Sequence, residues 1–595
     1  MNSQQRPAGR VLRNLRHGGQ ILPDDAPDAE ETADSFESVS VLSSAVPGED
    51  LQGLELAEVS TPFDYLFDDL AAQFPAQHLP GEPAAVTAAL KRLGEALAEA
   101  EPAPGDQLQA TGNSTVPAVY TYWGQFIDHD LTANTDRQNT VTDLTAADLT
   151  PLHPDVVRRD LRNLRQPALD LDSVYGDGPS FEGGPPTAAA DMYDGIALRL
   201  SELAETDDRG RPIRGDEIPP IGDKLRDLPR DSGQELPEDK AVALIGDGRN
   251  DENLIVAQFH VAFLRFHNAV LAWARSTPGY PQDDQELFDR VRDLVRWHHQ
   301  WLVVHDYLKT VTLPGVVDKV LLGGNRYFRP RYGQVYMPLE FSVAAYRFGH
   351  TMVRGFYDYN RNFGRKDGGP GVLIPFAPFS LIFAFTGSAR PEPFNGGGTV
   401  LPFNWTIEWD RFVDKGDSLP DHFARKINTQ LAPPLSDMIN QITTDDEDLP
   451  EVVKNILKHL AVRNLLRGYH LAMPTGQAVA GAVGVAPLTE EELQRGNSDA
   501  VNAALTAGGF LEATPLWFYI LKEAEVRANG NSLGEVGSRI VVETIIGQLR
   551  ADPSSYLNQD HGWSPEQGVL LPDDEPIVTI KDLLRFAGLL PTHAS

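Results

Sequence analysis

The stretch YTYWGQFIDHDLT, residues 120–132, decides the fold and the site that we expect for this chain. Apolar residues surround its polar ones, so a helix here has no wide polar face to turn toward water. At about 100° per residue, Gln125 and His129 share one face, and Asp128 and Asp130 flank it on opposite sides. Buried acids need a cation, a metal or a covalent partner. The stretch therefore predicts a functional site inside a helical core.

The segments outward from this stretch also have mostly helical patterns. A run that starts at Glu252 is apolar nearly all round over about six turns, which is typical of a buried central helix. Another long helical pattern starts at Phe288, and more follow toward the end of the chain, whereas alternating strand patterns are few and short. These patterns predict a mainly α fold, in which the long helices of one large domain share a core.

Composition and charge exclude several classes of function. The 595 residues include 85 acidic and 51 basic ones, which gives a net charge of −34. Such a surface repels phosphate backbones and anionic lipids, so we expect neither nucleic acid nor a membrane as a partner. The chain has no cysteine, which excludes disulfides, thiolate nucleophiles, Fe–S clusters and cysteine-ligated zinc.

The charge pattern also predicts how the chain is organised. Residues 1–60 are expected to form a mobile tail, because residues 24–50 carry nine acidic side chains and no basic one. Residues 61–595 are expected to form the folded domain, with a long polar surface loop over 205–239. No apolar run follows the arginines of the first 19 residues, as a signal peptide would require. We therefore expect a soluble protein that is cytoplasmic or exported without a leader.

Two further motifs carry candidate binding residues. The segment QPALDLDSVYGDG begins at Gln166 and carries Asp170 and Asp172, whose alternating carboxylates suit a hard cation such as calcium. Taken alone, an Asp-rich loop of this kind is more often a solvated turn. The segment GDGRNDEN carries Arg249 and Glu252 at the start of the apolar helix. Taken alone, it favours a carboxylate at a helix N-terminus beside a surface arginine.

Two more motifs lie in the second half of the chain. In AAYRFGHTMVRGFY, Arg347 and His350 are one helical turn apart, although a single histidine in an apolar helix is more often a core residue than a ligand. In LAVRNLLRGYHLAMPTGQAVA, Asn464 lies within an apolar helical pattern. Neither motif identifies a function by itself.

In order and spacing, these motifs resemble the animal-type haem peroxidases of the peroxidase–cyclooxygenase superfamily, and more closely the bacterial members. WGQFIDHD, from residue 123, is highly specific for the family, and YRFGH and RNLLRG are specific in combination with it. The resemblance runs from Phe63 to the C-terminus. It implies a large helical domain with haem buried between central helices.

The resemblance also implies roles for individual residues. The catalytic residues that it implies are His129, Arg249 and Gln125. The haem is expected to be haem b, linked to the protein by two ester bonds. The residues implied to hold it are His350 as the iron ligand, Asn464 as the partner of His350, Asp128 and Glu252 as the ester-forming carboxylates, and Arg347 at the haem edge.

A structural Ca²⁺ is the second cofactor that the resemblance implies. Its expected ligands are Asp130, Gln166, the carbonyl of Ala168, Asp170 and Asp172. Two of these depart from the family pattern, in which threonine is usual at Gln166 and serine occurs at Asp172. Asn253 stands where some members have a methionine that bonds to the haem, so a sulfonium link is chemically impossible here.

The function expected from the resemblance is a haem peroxidase that acts as a monomer or weak oligomer. It would use H₂O₂ to oxidise halides or thiocyanate by two electrons, and phenols or other small organic donors by one. A fatty-acid dioxygenase on the same fold is an alternative, but it needs a radical tyrosine three residues before the proximal histidine. Arg347 occupies that position, and on a helix Tyr346 is rotated about 100° away. A non-catalytic calcium- and haem-binding protein, and a serine hydrolase suggested by GNSLG at residue 530, are favoured less.

Overall fold

The computed structural model describes residues 61–591 with internal gaps, together with two short strands near the N-terminus. The predicted tail, residues 1–60, lies outside the described residues except for those strands. The predicted loop over 205–239 is described at 205–212 and 223–230. The gaps within 61–591 are residues 100–111, 134–145, 213–222, 231–241, 331–334, 366–376, 379–381, 388–399, 417–418, 420–421, 439–450 and 560–561.

The described residues form a mainly α fold, as predicted. In the first half of the chain the α-helices are α1 Asp68–Ala71, α2 Pro83–Ala96, α3 Val119–Leu131, α4 Pro154–Asp160, α5 Asp172–Tyr175, α6 Leu254–Ser276 and α7 Asp284–Leu302. The remaining helices are α8 Leu308–Val311, α9 Val316–Gly323, α10 Gly349–Met352, α11 Glu451–Lys458, α12 Leu460–His470, α13 Gly476–Val483, α14 Glu490–Gln494, α15 Asp499–Ala507, α16 Leu516–Arg527, α17 Glu535–Ala551 and α18 Ile580–Phe586.

The strands are two to five residues long and connect the helices rather than form a layer. One sheet has three strands in the order β10-β3-β5, in which β10 and β3 are parallel, and the other sheets are antiparallel pairs. The strands are β1 Leu15–Arg16, β2 Gln20–Ile21, β3 Thr61–Asp64, β4 Asn113–Pro117, β5 Arg162–Asn163, β6 Tyr193–Asp194, β7 Ala197–Leu198, β8 Ser201–Glu202, β9 Leu225–Asp227, β10 Met337–Pro338, β11 Phe356–Tyr357, β12 Ala377–Pro378 and β13 Phe423–Arg425.

Helix α6 is the central helix of the core. It is long and apolar enough to cross a membrane by length and composition alone, but 83% of its most apolar window is buried inside the protein. Helix α3 packs against it, and the ring of Phe126 stacks on that of Phe263 at 4.7 Å between centroids. Both rings are fully buried. The apolar pattern around α3 and α6 thus arises because each helix is enclosed by protein.

The segment predicted as a polar surface loop contains a buried part. Leu225–Asp227 forms strand β9, which pairs with β8. Arg226, Asp227 and Leu228 are at most 3% exposed. Arg226 lies beside Asp223, with 3.2 Å between Nε and Oδ2. Buried ion pairs of this kind let charged residues enter the interior, so a polar composition does not by itself indicate a surface loop.

Candidate functional site

One cavity of about 820 Å³, part of it open to solvent, lies where α3, the start of α6 and α10 meet. A mostly apolar cavity with a few polar groups directed into it is the usual setting for a cofactor or another small molecule. Five residues predicted for the site line it: Gln125, Asp128, Glu252, Arg347 and His350. The rest of the wall is mostly apolar or aromatic and includes Tyr120, Tyr122, Tyr307, Tyr346, Ile382, Phe383, Leu435, Met438 and Leu460.

Of the four predicted site residues on α3, two line the cavity and two are buried in the protein interior. Gln125 and Asp128 are partly exposed and line the cavity, whereas His129 and Asp130 are at most 1% exposed. The expected burial of the acid–histidine–acid triplet is therefore wrong for Asp128. Its carboxylate lies on the cavity side of the helix and accepts a hydrogen bond from Thr132 Oγ1 at 3.1 Å.

Side-chain hydrogen bonds join α3 to the residues directly before α6. Gln125 Nε2 donates a hydrogen bond to Glu252 Oε1. Gln125 Oε1 accepts a bond from Asn253 Nδ2 at 3.1 Å, while Asn253 Oδ1 caps α6 by accepting from the Val256 amide at 3.0 Å. From the sequence, Asn253 was noted only as the position at which some family members have a methionine. Its position directly before an apolar helical run is a cap signal that could have been used.

Arg249 is buried and not a surface residue, contrary to what its motif favours when taken alone. It lies in the short helical turn Gly248–Asp251 and is 2% exposed. Its Nη2 donates to Asp247 Oδ2 at 2.7 Å and to the backbone oxygen of His129 at 2.8 Å. Asp247, which sequence reasoning missed, also binds Arg165 Nη2 at 2.5 Å. Burial alone would raise the pKa of Asp247, but the two guanidinium groups outweigh it and hold that pKa well below its usual value.

His129 is held as a neutral imidazole. Burial lowers its pKa to about 4, and the positive charge of Arg249 acts in the same direction, against the opposite effect of Glu252, Asp247 and Asp128. Its Nδ1 lies 2.9 Å from Asn250 Oδ1. A neutral imidazole with Nδ1 engaged can accept a proton at Nε2.

His350, in the one-turn helix α10, also lines the cavity. Asn464, on α12, brings its Nδ2 to 3.3 Å from His350 Nδ1. When Nε2 of an imidazole binds a ligand, the proton is on Nδ1 and an amide partner turns its oxygen toward it. The structure thus brings together the two residues predicted for the proximal side.

The segment before His350 is not a regular α-helix. Glu340–Ala344 forms a π turn and Ala345–Phe348 a 3₁₀ turn. A 3₁₀ turn rotates successive residues by about 120°, so the side chains of Tyr346 and Arg347 still leave the backbone in different directions. Tyr346 and Arg347 both line the cavity. Arg347 Nε donates to the Ser342 backbone oxygen at 2.8 Å.

Two further arginines lie near this wall. Arg463 and Arg467 flank Asn464 on α12, and both act electrostatically on Arg347 or on each other. Burial, followed by the charges of Arg467 and Arg347, lowers the pKa of Arg463 to about 10. Sequence reasoning used only Asn464 of the motif RNLLR, although a basic residue on each side of it was the available signal. The cluster gives this side of the cavity a positive charge.

The expected calcium ligands lie near one another but are not assembled around an ion. Asp130 Oδ2 accepts from the Leu171 amide at 3.0 Å. Burial, and then the neighbouring Asp172, raises the pKa of Asp130 well above its usual value. Asp172 Oδ2 pairs with Arg165 Nη1 at 3.0 Å, whereas the buried Asp172 Oδ1 accepts no hydrogen bond from the described residues. Among the residues that the structure describes, no three His, Asp or Glu side chains are arranged to hold a metal.

The backbone of the same loop is bound to α7. Gln300 Nε2 donates to the carbonyl of Ala168 at 3.3 Å, and Arg296 Nε donates to that of Asp170 at 2.6 Å. The carbonyl of Gln166 accepts from the Ala168 amide at 2.9 Å. The carbonyl expected to bind calcium is thus engaged with a side chain of the core.

Comparison with curated proteins finds distant relatives. A peroxidase-like protein of Margaritifera margaritifera is 26% identical over 259 residues, which are 40% of this chain and 32% of that protein. A peroxidasin homologue of Caenorhabditis elegans is 24% identical over 285 residues, 42% of this chain and 22% of that protein. The chain therefore spans about a third or less of the length of these relatives.

Two further comparisons concern the family and the fold. The family described as animal haem peroxidase matches residues 202–373. Among solved structures, peroxidase A of Dictyostelium discoideum superposes with a TM-score of 0.51 at 14% sequence identity. The match covers 89% of this chain and 93% of that one. At this identity the likeness concerns the fold alone, and it extends over nearly all of both chains.

Proposed function

Because residues 202–373 match the animal haem peroxidase family and the fold resembles that of a peroxidase, we propose that the chain is a haem peroxidase that uses H₂O₂ as its oxidant. One observation carries the proposal. A single cavity is lined by His350 together with Gln125, Asp128 and Glu252. His129, which is buried and neutral, and Arg249 are not among its lining residues but lie beside Asp128 and Glu252. These are the types of side chain needed to bind iron and to cleave a peroxide.

The donor set of the cavity fits haem. His350 provides an imidazole whose other nitrogen is engaged by Asn464, as metal-bound histidines require. The apolar and aromatic walls suit a flat macrocycle, and Arg347, Arg463 and Arg467 suit its two carboxylates. When bound, haem would supply an iron that binds peroxide and accepts oxidising equivalents from it.

Two carboxylates of the cavity suit the covalent attachment of this haem. Asp128 comes from α3 and Glu252 from the turn that leads into α6. Both therefore approach the same space from different elements. We propose that they form ester bonds to haem methyl groups, which would remove two negative charges from a cavity that is otherwise apolar.

The protein's part in peroxide cleavage is proton transfer and charge stabilisation. His129 Nε2 would take a proton from H₂O₂ and return it to the departing oxygen, acting as general base and then as general acid. Arg249, held by Asp247, would supply a fixed positive charge where the departing oxygen becomes negative. Gln125 lines the cavity beside these residues and would orient water or a small anion. The donors proposed are halides or thiocyanate, and phenols or other small aromatic compounds.

Calcium remains part of the proposal. Asp130 and Asp172 are two neighbouring buried carboxylates, and Arg165 compensates only one of them. A divalent cation would replace the proton that the raised pKa of Asp130 now favours. Bound there, it would join the end of α3 to the loop before α5 and so hold His129 in place.

The experiment that tests the function is haem reconstitution followed by a donor assay. Protein loaded with haem should show a Soret band, and H₂O₂ should then drive oxidation of guaiacol and of bromide. A His350→Ala variant should lose the Soret band of ligated haem, whereas His153→Ala, which removes an exposed histidine far from the cavity, should keep both band and activity. A chain that binds haem but oxidises neither donor would contradict the proposal.

A second candidate is a haem-dependent fatty-acid dioxygenase. The observation that favours it is Tyr346, which lines the cavity together with Tyr307. The ring centroids of these two tyrosines are 6.4 Å apart. A tyrosine in the wall of the haem cavity is what a radical attack on a lipid requires. The peroxidase stays the main proposal, because a neutral buried histidine and a fixed arginine lie beside the lining residues Asp128 and Glu252, and the amide of Gln125 lines the cavity.

A further inference from the structure

The amide side chain of Asn250 links the ring of His129, on α3, to the ring of His260, on α6. His129 Nδ1 lies 2.9 Å from Asn250 Oδ1, and Asn250 Nδ2 lies 3.1 Å from His260 Nδ1. The three residues are 1%, 0% and 0% exposed. Because all three side chains are buried, hydrogen bonds among them are strongly favoured.

This chain of bonds decides which nitrogen of His129 carries the proton. Burial lowers the pKa of His260 to about 3, so its ring is neutral and its Nδ1 can accept a bond from the amide of Asn250. The amide oxygen then faces His129, whose Nδ1 must be the donor. A neutral imidazole has one N–H, and Nε2 of His129 is therefore left as a base.

The position of Asn250 is itself fixed by the backbone. Asn250 belongs to the turn Gly248–Asp251, which also contains Arg249. The backbone N–H of Asn250 donates to the backbone carbonyl of Asp247 at 3.0 Å. The same turn thus sets both the cation and the amide next to His129. Movement of Asn250 would require the turn to move.

We propose that Asn250 is a positioning residue that fixes the tautomer and ring orientation of His129, and that His260 in turn orients the Asn250 amide. The importance of this arrangement for catalysis rests on the proposed function. The protonation of His129 at Nδ1 is independent of that function, because it follows from hydrogen bonds among buried side chains. Loss of such a partner behind a catalytic or metal-bound histidine typically costs 10- to 100-fold in function.

The first test measures the tautomer and needs no haem. Nitrogen-15 spectra of the full chain, with the His129 signals identified by their absence in His129→Gln, should show a protonated Nδ1 and a bare Nε2. In Asn250→Leu, which has no acceptor, the proton should move wholly or partly to Nε2. Asn250→Asp keeps an acceptor oxygen and should keep the native pattern, which distinguishes the bond from side-chain volume.

Two histidines of α6 provide a matched comparison. His260→Leu removes the acceptor for the Asn250 amide and should mix the tautomers of His129. His267 lies two turns further along the same helix, is equally buried and binds Tyr175 and the Ile196 carbonyl instead. His267→Leu should destabilise the protein without moving the His129 signals. Native protein with the proton on Nε2, or unchanged signals in Asn250→Leu, would overturn the inference.

The second test measures ligand binding in haem-loaded protein. Hydrogen cyanide must give up its proton to bind to iron as cyanide, so its association rate reports the base at His129. The rate should fall about 10- to 100-fold in Asn250→Leu and recover in Asn250→Asp, with equal Soret bands before cyanide is added. Unchanged rates with an intact Soret band would contradict the positioning role. A chain that binds no haem would contradict the proposed function instead, and the spectra would still decide the tautomer.

Discussion

Arg249 and Asp247 form a buried ion pair in which two nitrogens of the guanidinium face the two oxygens of the carboxylate, at 2.7 Å between Nη2 and Oδ2 and 3.1 Å between Nε and Oδ1. The same carboxylate also binds Arg165, so two buried cations share one acid. Arg165 in turn reaches Asp172, in the loop proposed to bind calcium. The proposed catalytic cation and the calcium loop thus share one electrostatic network.

Asp247→Asn is expected to lower the free energy of unfolding by about 3–5 kcal/mol, because it leaves two guanidinium groups buried without their shared counter-charge. Urea unfolding measures the change. The pKa of Asp247 lies below that of an unfolded aspartate, so its contribution is complete above about pH 3.9 and is lost only as the pH falls toward the folded value. Asp160→Asn, which breaks an exposed pair with Arg159, should change stability little. Equal effects of both variants would contradict the role of burial.

The reaction with H₂O₂ is expected to lose its rate as the pH falls through about 4, since burial lowers the pKa of His129, the proposed base, to that value. An unperturbed histidine would give the loss near pH 6.5. Stopped-flow mixing with short pH jumps measures the rate before acid unfolds the protein. His129→Gln should be about 100- to 10,000-fold slower and show no such inflection. An inflection near 6.5 in the native enzyme would show that His129 titrates in contact with water.

Haem is expected to become covalently linked after turnover with H₂O₂. Acid–butanone extraction should leave the haem with the protein in native enzyme, and also in Asp128→Asn and Glu252→Gln, which each retain one carboxylate. The double variant should release all of it, because no carboxylate is left to form an ester. Complete release from the native enzyme after peroxide treatment would rule out the ester bonds.

Calcium removal is expected to disturb the haem site before it unfolds the chain, because Asp130 follows His129 directly in α3. A chelator should shift the Soret band at a concentration that leaves the helical circular dichroism unchanged. Asp172→Asn should weaken calcium binding, so that the Soret band shifts at a lower concentration of chelator. Active enzyme that contains no calcium by metal analysis would remove calcium from the proposal.

Tyr346→Phe distinguishes the two candidate functions. In a peroxidase, the oxidation of bromide and guaiacol should persist in this variant, because the tyrosine hydroxyl takes no part in peroxide cleavage. In a dioxygenase, uptake of O₂ with linoleate should occur in the native enzyme and disappear in the variant. We expect no O₂ uptake by either form in an oxygen electrode. Stoichiometric uptake that Tyr346→Phe abolishes would favour the dioxygenase.

The periodicity of the sequence was sufficient for the helical core. Helices α3 and α6 are apolar on nearly every side, and a helix of this composition must be enclosed by other helices. The same pattern predicted correctly that His129 and Asp130 are buried. The family motifs predicted which residues would meet, and Gln125, Asp128, Glu252, Arg347 and His350 do line one cavity.

Local geometry limited what the sequence could predict about side-chain direction. The predicted rotation of Tyr346 relative to Arg347 did not indicate whether its side chain reaches the cavity, because both residues line the same space from a π turn followed by a 3₁₀ turn. Arg463 and Arg467, which act electrostatically on Arg347 or on each other, were also not predicted. Only the asparagine of their motif was assigned a role. In the sequence, an arginine near a cavity cannot be distinguished from an arginine on an exposed helix.

The sequence by itself determined which helices are buried and which residue types the site contains, because amphipathic period and motif spacing are local properties of the chain. Only the tertiary structure decided the partners of those residues. His129 and Asn250 are separated by 121 residues along the chain, as the hydrogen bond between them records. Asp247 likewise binds Arg165 across 82 residues. Such pairs form where segments far apart in the sequence come within bonding distance, and most polar groups buried in a protein core are hydrogen-bonded.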